Sequence, residues 1–164
     1  MYVRKIIFLI LNNFDYYKEK IPNIFEKIIK KYPAISKKDK NRIRVCVNEI
    51  IRLKGILDYL IEKGSKKRID QINSKIKNIL RLGVYELIFD DIVPEFAAIY
   101  SSVQLAKKNI NKKSSSMVNA VLRNIQRLSL NNENWNISII QKKIELAYPK
   151  WLLNRWNKKY GSEV

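Results

Sequence analysis

Few side chains in this sequence can do chemistry. Cys46 is the only thiol, histidine is absent, and Asp90-Asp91 is the one acidic dipeptide. A thiol can attack a pyrimidine ring, as cytosine-5 methylation requires. Cys46, however, falls on an apolar seam, Ile43, Cys46, Ile50, Leu53, Leu57 and Leu60, and reads as a small buried hydrophobe. Asp90-Asp91 has no companion ligands at metal spacing and reads as a helix-to-loop junction ahead of Pro94. Without histidine there is no imidazole general base, no Ser-His-Asp or Cys-His pair and no His-ligated zinc. A single cysteine builds neither a disulfide framework nor a thiolate zinc site, and it fits a reducing compartment. The four glycines form no G-x-G-x-x-G and no Walker loop. No cofactor is expected, and the chain by itself is not expected to be an enzyme.

Binding is what remains, and charge says of what. Lys and Arg number 33 against 15 Asp and Glu, a net charge of +18 over 164 residues. Ile, Lys and Asn make up 67 residues, a bias typical of AT-rich coding sequence. That bias inflates lysine but does not explain the shortage of acids, whose codons are equally AT-compatible. The imbalance calls for a polyanionic partner. From Phe96 to Asn132 there are 37 residues without one acid, and they hold Lys107, Lys108, Lys112, Lys113, Arg123 and Arg127. These six are the candidate contact residues for such a partner, either nucleic acid or an anionic membrane surface. Arg123 and Arg127, four apart, share one helix face. Ser114–Ser116, read as a cap region after a loop carrying Lys112 and Lys113, would offer backbone N–H groups to a phosphate. Trp151 and Trp156, near Arg155, Lys158 and Lys159, could stack bases or simply pack a terminal helix.

The elements that must position these residues are helices. Apolar residues recur at steps of 3 and 4 in Tyr17–Ile28, along the single long helix of the Ile43–Leu60 seam, and in Ile72–Leu87, Ile99–Ile110 and Val118–Leu128. Ser36-x-x-Asp39 resembles a capping box, Gly64 stands where a C′ glycine would end a helix, and Pro94 opens the Ile99 stripe near its first position. Sustained alternation and hairpin dipeptides are absent. The fold is expected to be all-α. Gly64–Arg68 divides one helical group from the next, giving halves of about 1–66 and 67–130. Asn131–Asn136 then leads into a terminal piece, 131–164, with Ser138-x-x-Gln141 as a capping box, a short helix to Ala147 and the Pro149–Gly161 stretch. Ile6–Leu11 is far short of the roughly 20 residues of a membrane span and reads as a buried N-terminal helix. No signal-peptide pattern follows it, so the expectation is a cytoplasmic protein without a membrane partner.

Specific segments then resemble a known family. Leu80-Arg81-Leu82-Gly83-Val84-Tyr85-Glu86-Leu87 is similar to the LRLGxYxL helix of the NusB family. Val93-Pro94-Glu95-Phe96-Ala97-Ala98, with Val103-Gln104-Leu105-Ala106-Lys107, resembles that family's VPxHAAxxxxVxLAK helix, and Val118-Asn119-Ala120-Val121-Leu122-Arg123 matches VNAVLR. Tyr148-Pro149-Lys150-Trp151-Leu152, Arg155-Trp156 and Tyr160-Gly161 resemble the P-x-WL…RW…YG segment of RsmB-type (Sun/Fmu) rRNA cytosine-5 methyltransferases. That segment follows their NusB-like domain and is not a feature of the free-standing antitermination factor. Phe96 stands where those enzymes typically have His, and Tyr100-Ser101 where Asn-Glu is usual.

The resemblance implies two packed helical halves and RNA binding. It further implies either a catalytic methyltransferase domain in the same longer chain or, for an antitermination factor, leader RNA and a ribosomal protein as partners. Because residues 1–164 end just after the Tyr160-Gly161 segment, the first is the expected case: a NusB-like RNA-binding domain (1–130) with a segment (131–164) leading toward a methyltransferase domain.

Overall fold

In the computed structural model, which describes residues 2–14, 18–131, 139, 142, 146 and 150–161, apolar spacing has become helix throughout. The elements are α1 (Tyr2–Asn13), α2 (Ile21–Ile29), α3 (Lys37–Arg52), α4 (Lys54–Ser65), a 3-10 turn (Ile69–Gln71), α5 (Ser74–Ile88), α6 (Glu95–Asn109), α7 (Lys112–Leu130) and α8 (Lys150–Tyr160). There is no strand among the described residues. The sequence-expected capping box forms: Ser36 Oγ accepts from the Asp39 amide at 3.0 Å and donates to Asp39 Oδ2 at 2.9 Å. The Ile6–Leu11 run lies inside α1, with Ile6, Ile7, Phe8, Ile10 and Leu11 buried. No described helix is long and apolar enough to cross a membrane. Tyr17, the capping-box residues Ser138 and Gln141, and Ala147 lie outside the described residues, while Ile139, Lys142 and Leu146 are helical.

Three boundaries differ from the sequence reading. The Ile43–Leu60 seam is two helices, because Leu53 (φ −90°, ψ 6°) leaves the helical conformation and both closes α3 and opens α4. Leu53 stays buried through the bend, so the apolar period alone does not reveal the break. Gly64 is not a C′ residue: α4 runs on to Ser65, and Lys66 takes the left-handed turn at φ 54°. Finally, Ser114–Ser116 do not cap α7. Asn111 does, its side chain accepting from the Ser114 amide at 2.8 Å, so Lys112 and Lys113 lie in the first helical turn and not in a loop.

The core is one continuous cluster from Ile6 to Ile139, and α5 is its axis. A helix buried on most sides must be apolar on most sides, and α5 buries nine of its fifteen residues. The halves are joined across it by polar contacts as well. Arg81 of α5 makes a bidentate pair with Asp58 of α4, at 2.7 and 2.8 Å. Arg4 of α1 lies 2.9 Å from both carboxylate oxygens of Glu86 in α5. Arg42 of α3 pairs with Asp90, just beyond α5. Asn78 of α5 donates to the Leu11 carbonyl at 3.2 Å, at the end of α1.

Two glycines set how closely α7 can approach. A Cβ on Gly83 would lie 2.8 Å from both Leu122 Cδ1 of α7 and Ser102 Oγ of α6. One on Gly64 would lie 2.6 Å from Ile125 Cγ1 and 3.0 Å from the Val121 carbonyl oxygen. The missing side chains let α4, α5 and α6 close on the inner face of α7. Gly55 plays a similar part for the region after α7: its Cβ would meet the Leu146 carbonyl oxygen at 2.9 Å. Beside it, the Lys142 ammonium sits 5.5 Å from the Tyr59 ring centroid, and Ile139 is buried in the core.

Candidate nucleic-acid interface

With its inner face (Ser114, Ser115, Val118, Val121, Leu122, Ile125) buried, α7 turns Lys112, Ser116, Asn119, Arg123 and Arg127 to solvent. Steps of 4, 3, 4 and 4 keep these five on one stripe. At 1.5 Å per residue, Lys112 and Arg123 are about 17 Å apart along the axis, so the six sequence-chosen cations form a track and not a single cluster. Lys107 and Lys108 end α6 across a two-residue connection from Lys112 and Lys113. Lys107, Lys108 and Lys113 are exposed, with Lys113 to one side of the stripe. Around Arg123 and Arg127 the surface dips into a depression of about 510 Å³, floored by Asn119, Ala120, Asn124 and Gln126.

The electrostatics separate α7 from the helices before it. Six arginines before it each sit on a carboxylate: Arg4 on Glu86, Arg42 on Asp90, Arg44 on Glu26, Arg52 on Glu49, Arg68 on Asp70 and Arg81 on Asp58. Among the described residues, Arg123 and Arg127 reach only neutral amides. Arg123 donates to Gln126 Oε1 at 3.1 Å, and Arg127 donates to Asn124 Oδ1. The amides are themselves anchored, Gln126 to Glu95 Oε2 at 2.6 Å and Asn124 to the Gly64 carbonyl at 2.9 Å. Both guanidiniums are thus oriented without being neutralised, as a phosphate-binding arginine should be. Sequence reasoning selected these two by charge but had no signal for the amides that hold them.

The other chemical candidates resolve structurally. Cys46 is buried, and burial pushes its thiol up to about 11, which removes it as a nucleophile. Asp90 is engaged by Arg42. Trp156 is half-buried on α8 beside exposed Arg155 and Lys158, while the Trp151 side chain lies outside the described residues. A larger cleft, about 750 Å³, opens between the end of α1 and the start of α5 and is lined by Lys18, Lys54, Lys77 and Arg81 among others. Its cations are partly committed within the protein, Arg81 to Asp58 and Lys77 to the Ile69 carbonyl at 3.3 Å.

The described residues thus form an all-helical domain whose α7 presents two guanidiniums that meet no carboxylate among them. The family follows from comparison: residues 1–127 match the NusB family model, and the chain belongs to that family. It is 30% identical over 162 residues to the probable ribosomal RNA small subunit methyltransferase B of Synechocystis, which covers 96% of this chain but only 35% of that protein. It is 31% identical over 114 residues to the transcription antitermination protein NusB of Finegoldia magna, covering 69% of this chain and 80% of the relative. The chain thus spans about a third of the methyltransferase relative's length. Among solved structures, a complex of antitermination factors NusB and NusE with dsRNA contains a chain of the same fold, with TM-score 0.70 and 28% identity over 77% of this chain and 94% of that one. A chain in the crystal structure of a plectonemic RNA supercoil aligns with TM-score 0.73 and 28% identity, covering 80% and 96%.

Proposed function

We propose that this chain is the RNA-binding part of a small-subunit rRNA cytosine-5 methyltransferase of the RsmB type, and that it acts by holding substrate RNA and not by catalysis. The observation that carries RNA binding is the contrast in arginine pairing: acids neutralise the six arginines that precede α7, whereas among the described residues only neutral amides hold Arg123 and Arg127. Attachment to a methyltransferase is favoured by a similarity to such an enzyme that runs through 96% of this chain, past the family match that ends at residue 127. On this reading residues 1–130 are the RNA-binding domain, residues 131–164 lead toward a catalytic domain in the same longer chain, and the protein works in the cytoplasm.

RNA follows the track made by Lys107, Lys108, Lys112, Lys113, Arg123 and Arg127, through its phosphates. Removing one cation that neutralises a phosphate lowers the slope of log affinity against log salt by about 0.7 for single-stranded RNA. Replacing Lys112, Lys113, Arg123 and Arg127 by Gln flattens the slope by up to about 3 units. Replacing Lys18, Lys20, Lys30 and Lys31 changes it less. Equal effects from the two sets would mean that RNA responds only to total charge and that the track is wrong.

A second reading, a free-standing antitermination factor, is supported by the fold shared with NusB in its complex with NusE and dsRNA. It requires that a ribosomal protein partner bind this chain and tighten its hold on leader RNA. A titration that leaves RNA affinity unchanged rejects it.

A further inference from the structure

The α6 helix buries Ala98, Ile99, Ser102, Leu105 and Ala106 and carries two aromatic rings on its opposite side. Phe96 is 71% exposed and Tyr100 is 65% exposed. Four residues apart, they stand one above the other on one helix face, and Lys107, seven beyond Tyr100, continues the same line. The helix that carries the rings packs against α7 and is tied to its track. Glu95, adjacent to Phe96, accepts from Gln126 at 2.6 Å, and Gln126 accepts from Arg123 at 3.1 Å. The guanidinium of Arg123 is therefore two hydrogen bonds from the residue preceding Phe96.

Exposed rings alone would fit many partners, and the surrounding charge narrows the choice. No acid occurs between Phe96 and Asn132. In sequence the stretch is bounded by Glu95, which is engaged by Gln126, and by Glu133. Flat apolar faces beside cations such as Arg123, which meets no carboxylate among the described residues, complement a partner that alternates flat rings with negative charges, which is single-stranded nucleic acid. A duplex hides its base faces in its own stack and can offer this surface only phosphates.

We propose that Phe96 and Tyr100 are a stacking platform for unpaired bases of single-stranded RNA, with Arg123 and Lys107 holding the flanking phosphates. The proposal rests on the RNA-binding reading above and adds the class of RNA that this face selects.

The test compares F96A/Y100A with the unaltered chain on a single-stranded RNA of about a dozen nucleotides and on the same sequence as a duplex. Both rings are exposed, so the variant should keep the wild-type melting temperature. Loss of stacking is expected to weaken single-strand binding by about tenfold or more, since each stacked base accounts for roughly 5- to 150-fold. Duplex affinity and the salt slope should stay unchanged, and F96W/Y100W should retain single-strand binding. Unchanged single-strand affinity in F96A/Y100A, or an equal loss on both RNAs, overturns the platform while leaving RNA binding in place. Failure of the unaltered chain to bind either RNA defeats the RNA-binding reading itself. Loss of a self-association in F96A/Y100A by sedimentation, with RNA affinity intact, would reassign the rings to a protein contact.

Discussion

At the scale of single residues, the charges divide into those committed to the fold and those left for a partner. Glu86 is the most committed, only 3% exposed and paired with Arg4. Burial raises its carboxyl above the ordinary value, and the attraction of Arg4 offsets this only in part. The consequence for stability has a definite sign. A carboxyl with a folded-state pKa above the unfolded one holds its proton longer in the native protein. Its contribution therefore favours folding at low pH and is lost as pH rises from the usual carboxylate range through the raised value. Glu86→Gln lacks that loss. Its stability relative to the unaltered chain should rise over this interval, measured by urea midpoints from about pH 4 to about pH 8. A relative fall instead would mean that attraction to Arg4 outweighs burial.

At the scale of elements, close helix contact depends on absent side chains. Alanine at Gly83 would gain about 1 kcal/mol of helix propensity, but its Cβ would press on Leu122 and Ser102, both fully buried. Overpacking of that kind costs typically 1–3 kcal/mol, so Gly83→Ala is expected to lower the melting temperature. The Ser102 hydroxyl has no hydrogen-bond partner among the described residues, so Ser102→Ala alone should be close to neutral or slightly stabilising. It also removes one of the two obstructing atoms. The double variant should recover part of the Gly83→Ala loss, and strict additivity would contradict the shared contact. These contacts also mark where sequence stops being informative. That Gly83 serves close approach is legible from a glycine inside a helical period. The role of Gly64 is not, because a glycine near a helix end looks the same whether it caps or packs. The bend at Leu53 is hidden because both helices keep the same apolar phase. Lys112 and Lys113 read as loop because three serines imitate a cap, whereas Asn111 makes it. The six cations were legible by sign; the amides that orient two of them come from α7 itself and are fixed by Glu95 and Gly64, 31 and 60 residues away in sequence.

At the scale of the molecule, the two helical groups share one core. The buried cluster runs without interruption across the turn between them, and α5 is tied to the first group through Asp58, Glu86 and Asn78, with Arg42–Asp90 just beyond its end. A group held only by a linker would unfold on its own, whereas one that completes its neighbour's core cannot. The α7 track therefore depends on α4, α5 and α6 together, and loss of the first group should abolish the site. Cys46 provides a reporter, being a buried thiol in the first group, pushed up to about 11 and inert while that group is folded. In rising urea, its reaction with a thiol reagent should follow the loss of helical signal with one midpoint and one slope, as a two-state domain requires. Thiol labelling that precedes the loss of helix would show the first group opening while α5–α7 stay folded. The RNA track would then survive without α1–α4, contrary to what the shared core demands.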